Sequence, residues 1–537
     1  MNGAEAIVKC LCAEGADTIF GYSGAAIDPF WQAVGKTDIR PILVRTEQNA
    51  GHAASGYARV TGKVGICTVT SGPGALNLLT GIATAFSDSI PLICITGQVD
   101  SSLIGSDVFQ EADITGAAES FVKYSYLVKK VKDIPRIIKE AFYIANSGRK
   151  GPVLIDVPQD ILEADIKDFD YPEEDPTLRT YKPTIKGHTV QIKKVARELE
   201  KARAPLICCG GGIILSGARE LFRKFIEKHR IPVVSTMMGI GVLPSDHPMY
   251  FGMVGNNGAK RANRAMRECD LLIMFGARVA DRAVADPEMT MEGKILVHID
   301  VDPAEIGKNV GSTIPIVGDA YHILEDFLEL DFFGEHEAFL ASLNNYEDVK
   351  SSKDFKRFVE PAAFVRELSL AMEDDAVYVA DVGQNQILSC RNCVIRKGSF
   401  LTSGGMGTMG YSIPAALGAC AGLKDRQVVA VCGDGAFQMS MMELSLINGE
   451  KLPIKIVVMK NDTLGMVREH QYYAYKGNYQ MVDLKSQPDL KMISGAYGID
   501  YFYMETMDNM KETIREFLDD EKGALLEVRI DPDGRVR

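Results

Sequence analysis

Nine times along the chain a short apolar run rich in β-branched residues ends in a turn bearing glycine or an acid, then gives way to a helical pattern. The runs are IRPILVRTE, KVGICTVTSGPG, LICITG, GPVLIDVP, APLICCGGG, DLLIMFGAR, ILVHIDVDP, QVVAVCGDG and IKIVVMKND. A strand with one wet face alternates apolar and polar residues. These runs do not, so both of their faces are covered, which is the condition of a parallel sheet flanked by helices. The expected fold is α/β, with doubly wound parallel sheets. Two polar, non-periodic stretches, residues 165–187 and 334–360, break the rhythm into three segments of comparable size: 1–165, 188–333 and 361–537. No sequence repeat connects the three.

Composition narrows the partners. The chain has 537 residues, 46% hydrophobic and 24% charged, the balance of an ordinary globular protein with several cores. Its net charge is −13 with no basic block, so counterion release from nucleic acid has little to act on, and neither nucleic acid nor an anionic membrane is an expected partner. No run approaches the roughly 20 apolar residues of a spanning helix. The start, MNGAEAIVKCLCAEG, carries Glu5 and Glu14 where a signal peptide has positive charge, so the expected location is cytoplasmic. The eleven cysteines are odd in number and sit mostly in apolar runs, as small buried hydrophobes of a reducing compartment. Cys390 and Cys393 form one CxxC, with no second pair or histidine at zinc spacing.

The sharpest chemical signal lies in the third segment. Run QVVAVC ends in Gly433, Asp434 and Gly435, and run IKIVVMK ends 27 residues past Asp434 in Asn461 and Asp462. In a right-handed strand–helix–strand unit both parallel strands emit their loops on one edge, which delivers Asp434 and Asn461 to one place. A carboxylate and an amide oxygen suit Mg²⁺, and glycines beside them let backbone N–H groups approach a phosphate. Alone, GDG is equally a tight strand-to-helix turn with an acid cap. Glu47 opens a second helical run, where a carboxylate is commonly a dipole partner. SGPG at 71–74 follows a strand as an anion-type loop, and Met409 stands oddly among the glycines of 403–410.

RTEQNAGHAASGYARVTGKVG, TSGPGALNLLTGIATAF, GSDVFQEADITG, GPVLIDVPQD, HIDVDPAEIGKN, LTSGGMGTMGYSIPAALGA and the GDG…ND unit together resemble the thiamine diphosphate enzymes, and within them the large catalytic subunit of acetolactate synthase. The likeness runs in matching order through all three segments. It implies a pyrimidine-binding domain, a central nucleotide-binding-like domain and a diphosphate-binding domain. It implies Mg²⁺ on Asp434, Asn461 and the carbonyl of Thr463, and diphosphate contacts from Gly383, Gln384 and Asn385. Pro73, Asn77, Gly435, Ala436 and Met466 fall among the cofactor contacts, with the Gly407 carbonyl on the 4′-amino group and Met409 as the wedge that bends the cofactor. Glu47 is the acceptor for N1′ of the aminopyrimidine.

The implied reaction decarboxylates pyruvate and joins the resulting enamine to a second 2-oxo acid, giving acetolactate or acetohydroxybutyrate. Phe109 and Gln110 match positions beside the reacting carbon, Met466 and Val467 the channel lip, and Arg282 the cation for the second carboxylate. Gly211, Arg278, Asp300 and Asp319 match positions that hold FAD, which does no net redox work in this family. A homodimer or homotetramer and a small regulatory subunit are the implied partners.

Several positions depart from the family pattern. Ser23 and Ala25 replace its Pro and Gly, Gln159 a lysine, Asn257 a histidine, Ala280 an aspartate and Asn385 a histidine. His470 stands where a tryptophan tied to preference for 2-oxobutyrate is usual. Relatives also commonly continue past Asp531-Pro-Asp-Gly-Arg-Val-Arg537 with a segment that closes over the site; without such a cover the enamine is open to water and simple decarboxylation is favoured. Two alternatives stand beside carboligation: a related lyase or decarboxylase acting on another 2-oxo acid, and a non-catalytic nucleotide-binding subunit that kept the fold.

Overall fold

The computed structural model describes residues 1–284, 286–345 and 357–536. Residues 346–356 of the second polar stretch, and Arg537, lie outside the described residues.

The nine apolar runs become nine of the eighteen strands of three six-stranded parallel sheets. The first holds β1 (Thr18–Gly21), β2 (Arg40–Leu43), β3 (Gly65–Val69), β4 (Leu92–Gln98), β5 (Tyr124–Leu127) and β6 (Pro152–Pro158), in the order β2-β1-β3-β4-β6-β5. The second holds β7 (Pro205–Cys209), β8 (Val233–Ser235), β9 (Tyr250–Met253), β10 (Leu271–Phe275), β11 (Ile295–Asp300) and β12 (Ile314–Val317), in the order β12-β11-β10-β7-β8-β9. The third holds β13 (Val377–Ala380), β14 (Ser399–Leu401), β15 (Val428–Gly433), β16 (Lys455–Lys460), β17 (Asp500–Met504) and β18 (Ala524–Arg529). Its order, β14-β13-β15-β16-β18-β17, reproduces that of the first sheet strand for strand. Central strands such as β4 and β16 are buried along their whole length, as their unbroken apolar character requires.

Each sheet reverses its winding between two neighbouring strands: β1 and β3, β7 and β10, β13 and β15. Such a switch point leaves a crevice beyond the strand ends where ligands bind in open α/β sheets. All three crevices are edged by the glycine-bearing turns singled out above.

The first and third units share one apolar core, in which Ile42, Ala53 and Leu78 join Val379, Leu417 and Phe437. At its centre the helix Glu47–Thr61 packs on the helix Ser412–Gly422. A missing Cβ is required at that crossing: Gly56 lies on the Ala415 carbonyl and Gly418 on the Ala53 carbonyl, each closer than any side chain allows. The middle unit has a core of its own. It is tied to its neighbours by polar links and by a shared apolar patch: Arg149 pairs with Asp302 at 3.3 Å and Glu305 at 3.1 Å, Arg219 donates to the Gly398 carbonyl at 3.0 Å, and Ile240 and Met253 pack with Phe364 and Ile395 of the third unit. Among the described residues no helix is long and apolar enough to cross a membrane.

Candidate functional site

Because β13, β15 and β16 lie side by side, the turns that follow them open on one edge. There residues 382–385, 433–436 and 463–467, with Met409 and Asn461, line an open cleft of about 530 Å³. Asp434 heads the helix Asp434–Ser440, an acid in the favourable first turn. One oxygen of its buried carboxylate accepts the Gly435 N–H at 2.9 Å, and the other accepts the N–H of Asn461 at 3.2 Å and of Asp462 at 2.6 Å. The convergence expected from the 27-residue spacing is therefore a direct contact. Asp462, held at φ +59°, turns its own carboxylate to Lys460 and Arg529. The Asn461 side-chain oxygen accepts the Thr463 N–H at 3.1 Å, and the Thr463 hydroxyl is buried without a partner.

Burial pushes the Asp434 carboxyl up to about 6; the Asp462 N–H and Lys460 oppose the rise, and the Asp462 charge adds to it. A buried carboxylate met mainly by neutral amides, beside an amide oxygen and an unpartnered hydroxyl, is an all-oxygen set that a hard divalent cation relieves. The donor chemistry fits Mg²⁺.

The rest of the cleft fits a diphosphate. Gly383 has φ +129°, a conformation open to glycine and strained for other residues, and it aims the turn ahead of the helix Gln384–Asn392. Asn385 is tucked beneath the strands, its Nδ2 donating to the Asp381 carbonyl at 2.9 Å and the Val431 carbonyl at 3.1 Å. Gln384 donates to Glu469 at 3.0 Å and to the Gly534 carbonyl at 2.9 Å. Met409 reaches to 3.5 Å from where a Cβ on Gly435 would stand. The loop carrying Gly407 and Met409 is fastened by two acids that sequence reading did not single out. Asp381 accepts the N–H of Gly410 at 3.0 Å and of Ser412 at 2.8 Å; Asp88 accepts those of Gly404 at 3.1 Å and Gly405 at 2.7 Å.

A second cluster forms on the first sheet. Glu47 begins the helix just past β2, and its carboxylate accepts from Asn77 Nδ2 at 3.1 Å. Pro73 and Asn77 belong to the helix Pro73–Asp88, which begins within SGPG. Gly72 lies so close under Gln110 that a Cβ on it would stand 2.7 Å from the Gln110 carbonyl oxygen. Gln110 itself takes φ +59°, and Phe109 is 86% exposed. Ser23 and Ala25 are exposed beside Gly24, which rests on Thr70. The cleft lined by Asp434 and Asn461 contains no residue of this cluster.

In the middle unit Gly210–Gly212 and Gly276 meet at the switch point, with the Gly212 N–H donating to the Gly276 carbonyl at 3.0 Å. Gly211 lines a cavity of about 570 Å³ with Arg59, Asp88, Lys150, Arg219 and Met238, where all three units meet, and Arg278 lies near enough for its charge to act on Asp88. Asp300 ends β11, its carboxyl pushed up to about 6 by burial and accepting the Asp302 N–H at 2.9 Å. Asp319 caps the helix Ala320–Leu328 through the Tyr321 N–H at 2.9 Å.

Arg282 is 76% exposed, with Asp281 at 4.0 Å, and joins neither cluster. His470 is exposed one helical turn beyond Met466, its ring set edge-on to Tyr475. Gln159 bonds Glu163 at 3.1 Å, and the Asn257 carbonyl accepts from Arg391 at 2.6 Å. Ala280 opens a turn in the loop before Arg282, its carbonyl accepting the N–H of Ala283 and Val284. Cys390 and Cys393 are buried and their thiols pushed well up by that burial, the state of core residues.

Each of the three units contains a match to a known sequence family. Residues 1–117 match the thiamine pyrophosphate enzyme N-terminal TPP binding domain, 192–327 the central domain, and 381–528 the C-terminal TPP binding domain. The chain is 42% identical to a probable acetolactate synthase large subunit of Methanocaldococcus jannaschii over 99% of its own length and 92% of the relative's. It is 39% identical to the acetolactate synthase large subunit of Haemophilus influenzae over 100% of its length and 96% of the relative's. Against the acetolactate synthase isozyme 3 large subunit of Escherichia coli it is 39% identical over 93% of its length and 89% of the relative's. With a glycine-edged crevice at the switch point of each sheet, an all-oxygen metal set in the third and likeness along nearly the whole chain, this protein belongs to the thiamine pyrophosphate enzyme family.

Proposed function

We propose that this chain is the catalytic subunit of a carboligase that uses thiamine diphosphate and Mg²⁺ to decarboxylate pyruvate and join the two-carbon unit to a second 2-oxo acid, giving 2-acetolactate for branched-chain amino acid synthesis. The observation that carries the reading is the pair of half-sites. A buried Asp434 meets the end of β16 in one, and Glu47, bonded to Asn77, is presented at the end of β2 in the other.

When bound, thiamine diphosphate supplies a nucleophilic carbon and an electron sink. The protein's part is position and field. Asp434, Asn461 and Thr463 would hold Mg²⁺, and Gly383, Gln384 and Asn385 would line the place of the diphosphate. The Gly407 carbonyl and Met409 orient the pyrimidine. Glu47, with its carboxylate held by Asn77, would accept a hydrogen bond from the pyrimidine ring and so favour the tautomer with a basic nitrogen beside the reacting carbon. Phe109 and Gln110 would stand beside that carbon, Met466 and Val467 would form the channel lip, and Arg282 would receive the second carboxylate in a two-point grip. The cavity at Gly211, with Arg278, Asp300 and Asp319, is the place for FAD.

Glu47 and Asp434 stand in separate half-sites of one chain, and the first unit exposes large apolar side chains: Phe109 is 86%, Leu43 51% and Leu76 46% exposed. A second copy of the chain covers that surface and completes each site, which makes a homodimer the working unit. The names of the relatives as large subunits support a small regulatory partner as well. The domains are read as 1–165 for the pyrimidine, 188–333 for the flavin and 361–537 for the diphosphate.

Ala25 and His470 favour, as a second reading, a lyase or carboligase for a different 2-oxo acid. One experiment separates the two. Purified protein with thiamine diphosphate and Mg²⁺ is incubated with pyruvate, with and without 2-oxobutyrate, and the products are identified. Acetolactate as the main product supports the first reading; its near absence beside turnover of another 2-oxo acid supports the second. Glu47→Gln should abolish either activity.

A further inference from the structure

Glu443 sits in the 3₁₀ turn Met441–Glu443, a few residues past the helix that Asp434 begins. It is fully buried. Its Oε1 reaches across to the first unit and accepts two hydrogen bonds, from the Arg45 N–H at 2.9 Å and from Asn49 Nδ2 at 2.8 Å. These donors flank Glu47, two residues before it and two after. Burying a carboxylate is costly unless donors meet it, and these donors come from the one segment of the first unit that carries the cofactor-facing acid.

The arrangement has a counterpart. Asp88, at the end of the helix Pro73–Asp88, accepts the N–H groups of Gly404 and Gly405, just ahead of Gly407 and Met409. Each acid follows the β-strand that lies third in its own unit, and each fastens the segment after the second strand of the other. Two units of the same strand order therefore exchange carboxylates, and each exchange ends on a loop that faces the cofactor.

We infer that Glu443 is a positioning residue that holds the carboxylate of Glu47 in register with the pyrimidine. This rests on the role proposed above for Glu47. Glu443 does not line the cleft of Asp434 and Asn461; it acts by holding the Arg45 amide and the Asn49 side chain so that the first turn of the helix Glu47–Thr61 cannot swing. In the homodimer proposed above, Asp434 and Glu47 of one chain belong to different sites, and Glu443 joins the two through one short stretch of that chain.

The test is exchange of the C2 proton of bound thiamine diphosphate with deuterium, read by acid quench and NMR. Glu443→Ala should slow exchange at least about tenfold while thiamine diphosphate and Mg²⁺ affinities stay within about threefold, because the residues lining the cleft are untouched. Glu443→Gln, which keeps an acceptor oxygen, should recover the rate to within about threefold of wild type. In a Glu47→Gln background the alanine change should add nothing, a non-additivity that general loosening of the fold does not produce. In cofactor-free protein, amide exchange in 45–49 should rise in Glu443→Ala.

Wild-type C2 exchange in Glu443→Ala, or an equal loss in the Glu47→Gln background, overturns the inference. If the alanine variant does not fold, Asn49→Ala removes one donor from the other side, and an unchanged C2 exchange rate there overturns it too. Wild-type exchange in Glu47→Gln alone would instead overturn the role of Glu47 itself.

Discussion

The first and third units have the same strand order and opposite chemistry. After its third strand the first unit places SGPG and starts a helix on Pro73; the third places GDG and starts one on Asp434. After its second strand the first presents Glu47, and the third presents the glycine-rich loop with Met409. On the proposed reading, one frame delivers a carboxylate for the pyrimidine in one copy and a metal set with a wedge in the other. The lesson is that the sheet decides where a residue emerges and the turn decides what it does.

Substitutions can sharpen or break that contrast. The largest effect is expected at the two acids: Asp434→Ala should remove Mg²⁺-dependent cofactor binding, and Glu47→Gln should lower turnover by about 10²–10⁴-fold with cofactor binding largely kept. Calorimetry beside steady-state rates checks this; the same phenotype from both would erase the division of labour. The interface between the units comes next. Gly418→Ala drives a methyl into the Ala53 carbonyl and should cost about 1–3 kcal/mol in denaturant titration. Gly495→Ala, which meets nothing within 4 Å in the helix Leu490–Tyr497, should stabilise by about 0.5–1 kcal/mol.

His470→Trp adds an apolar wall beyond Met466 and should raise preference for 2-oxobutyrate over pyruvate as second substrate by about 1 kcal/mol or more, read in competition assays. The smallest effect is one of pH. Burial holds the folded-state carboxyl of Asp434 near 6, above its ordinary value, so a proton competes with the metal as pH falls through 6. Mg²⁺ affinity should weaken about tenfold between pH 7.5 and 5 in the wild type. In the metal-free protein the same shift has the opposite sign for stability: this group favours the folded state more as pH drops through 6, because the folded form binds the proton more tightly than the unfolded chain.

Much of this was legible along the chain. Asp434 and Asn461 were found because each ends an unbroken apolar run, and parallel neighbours must emit their turns on one edge. Glu47 was visible at the head of a helix, though its role came from the family likeness. Asp381, Asp88 and Glu443 were not visible. Asp88 meets Gly405 across 317 residues and Glu443 meets Arg45 across 398, and neither acid sits in a pattern that marks it. Arg282 and His470 remain exposed in the single chain, outside both half-sites.

Local pattern was enough for the α/β class and for the meeting of Asp434 with Asn461, since burial on both faces and tight glycine turns leave their mark within a few neighbours. Which acid fastens which loop depended on the packed molecule. Bare Cα surfaces on Gly56 and Gly418 let two helices from distant segments close on each other, and only that approach brings Glu443 to the residues around Glu47.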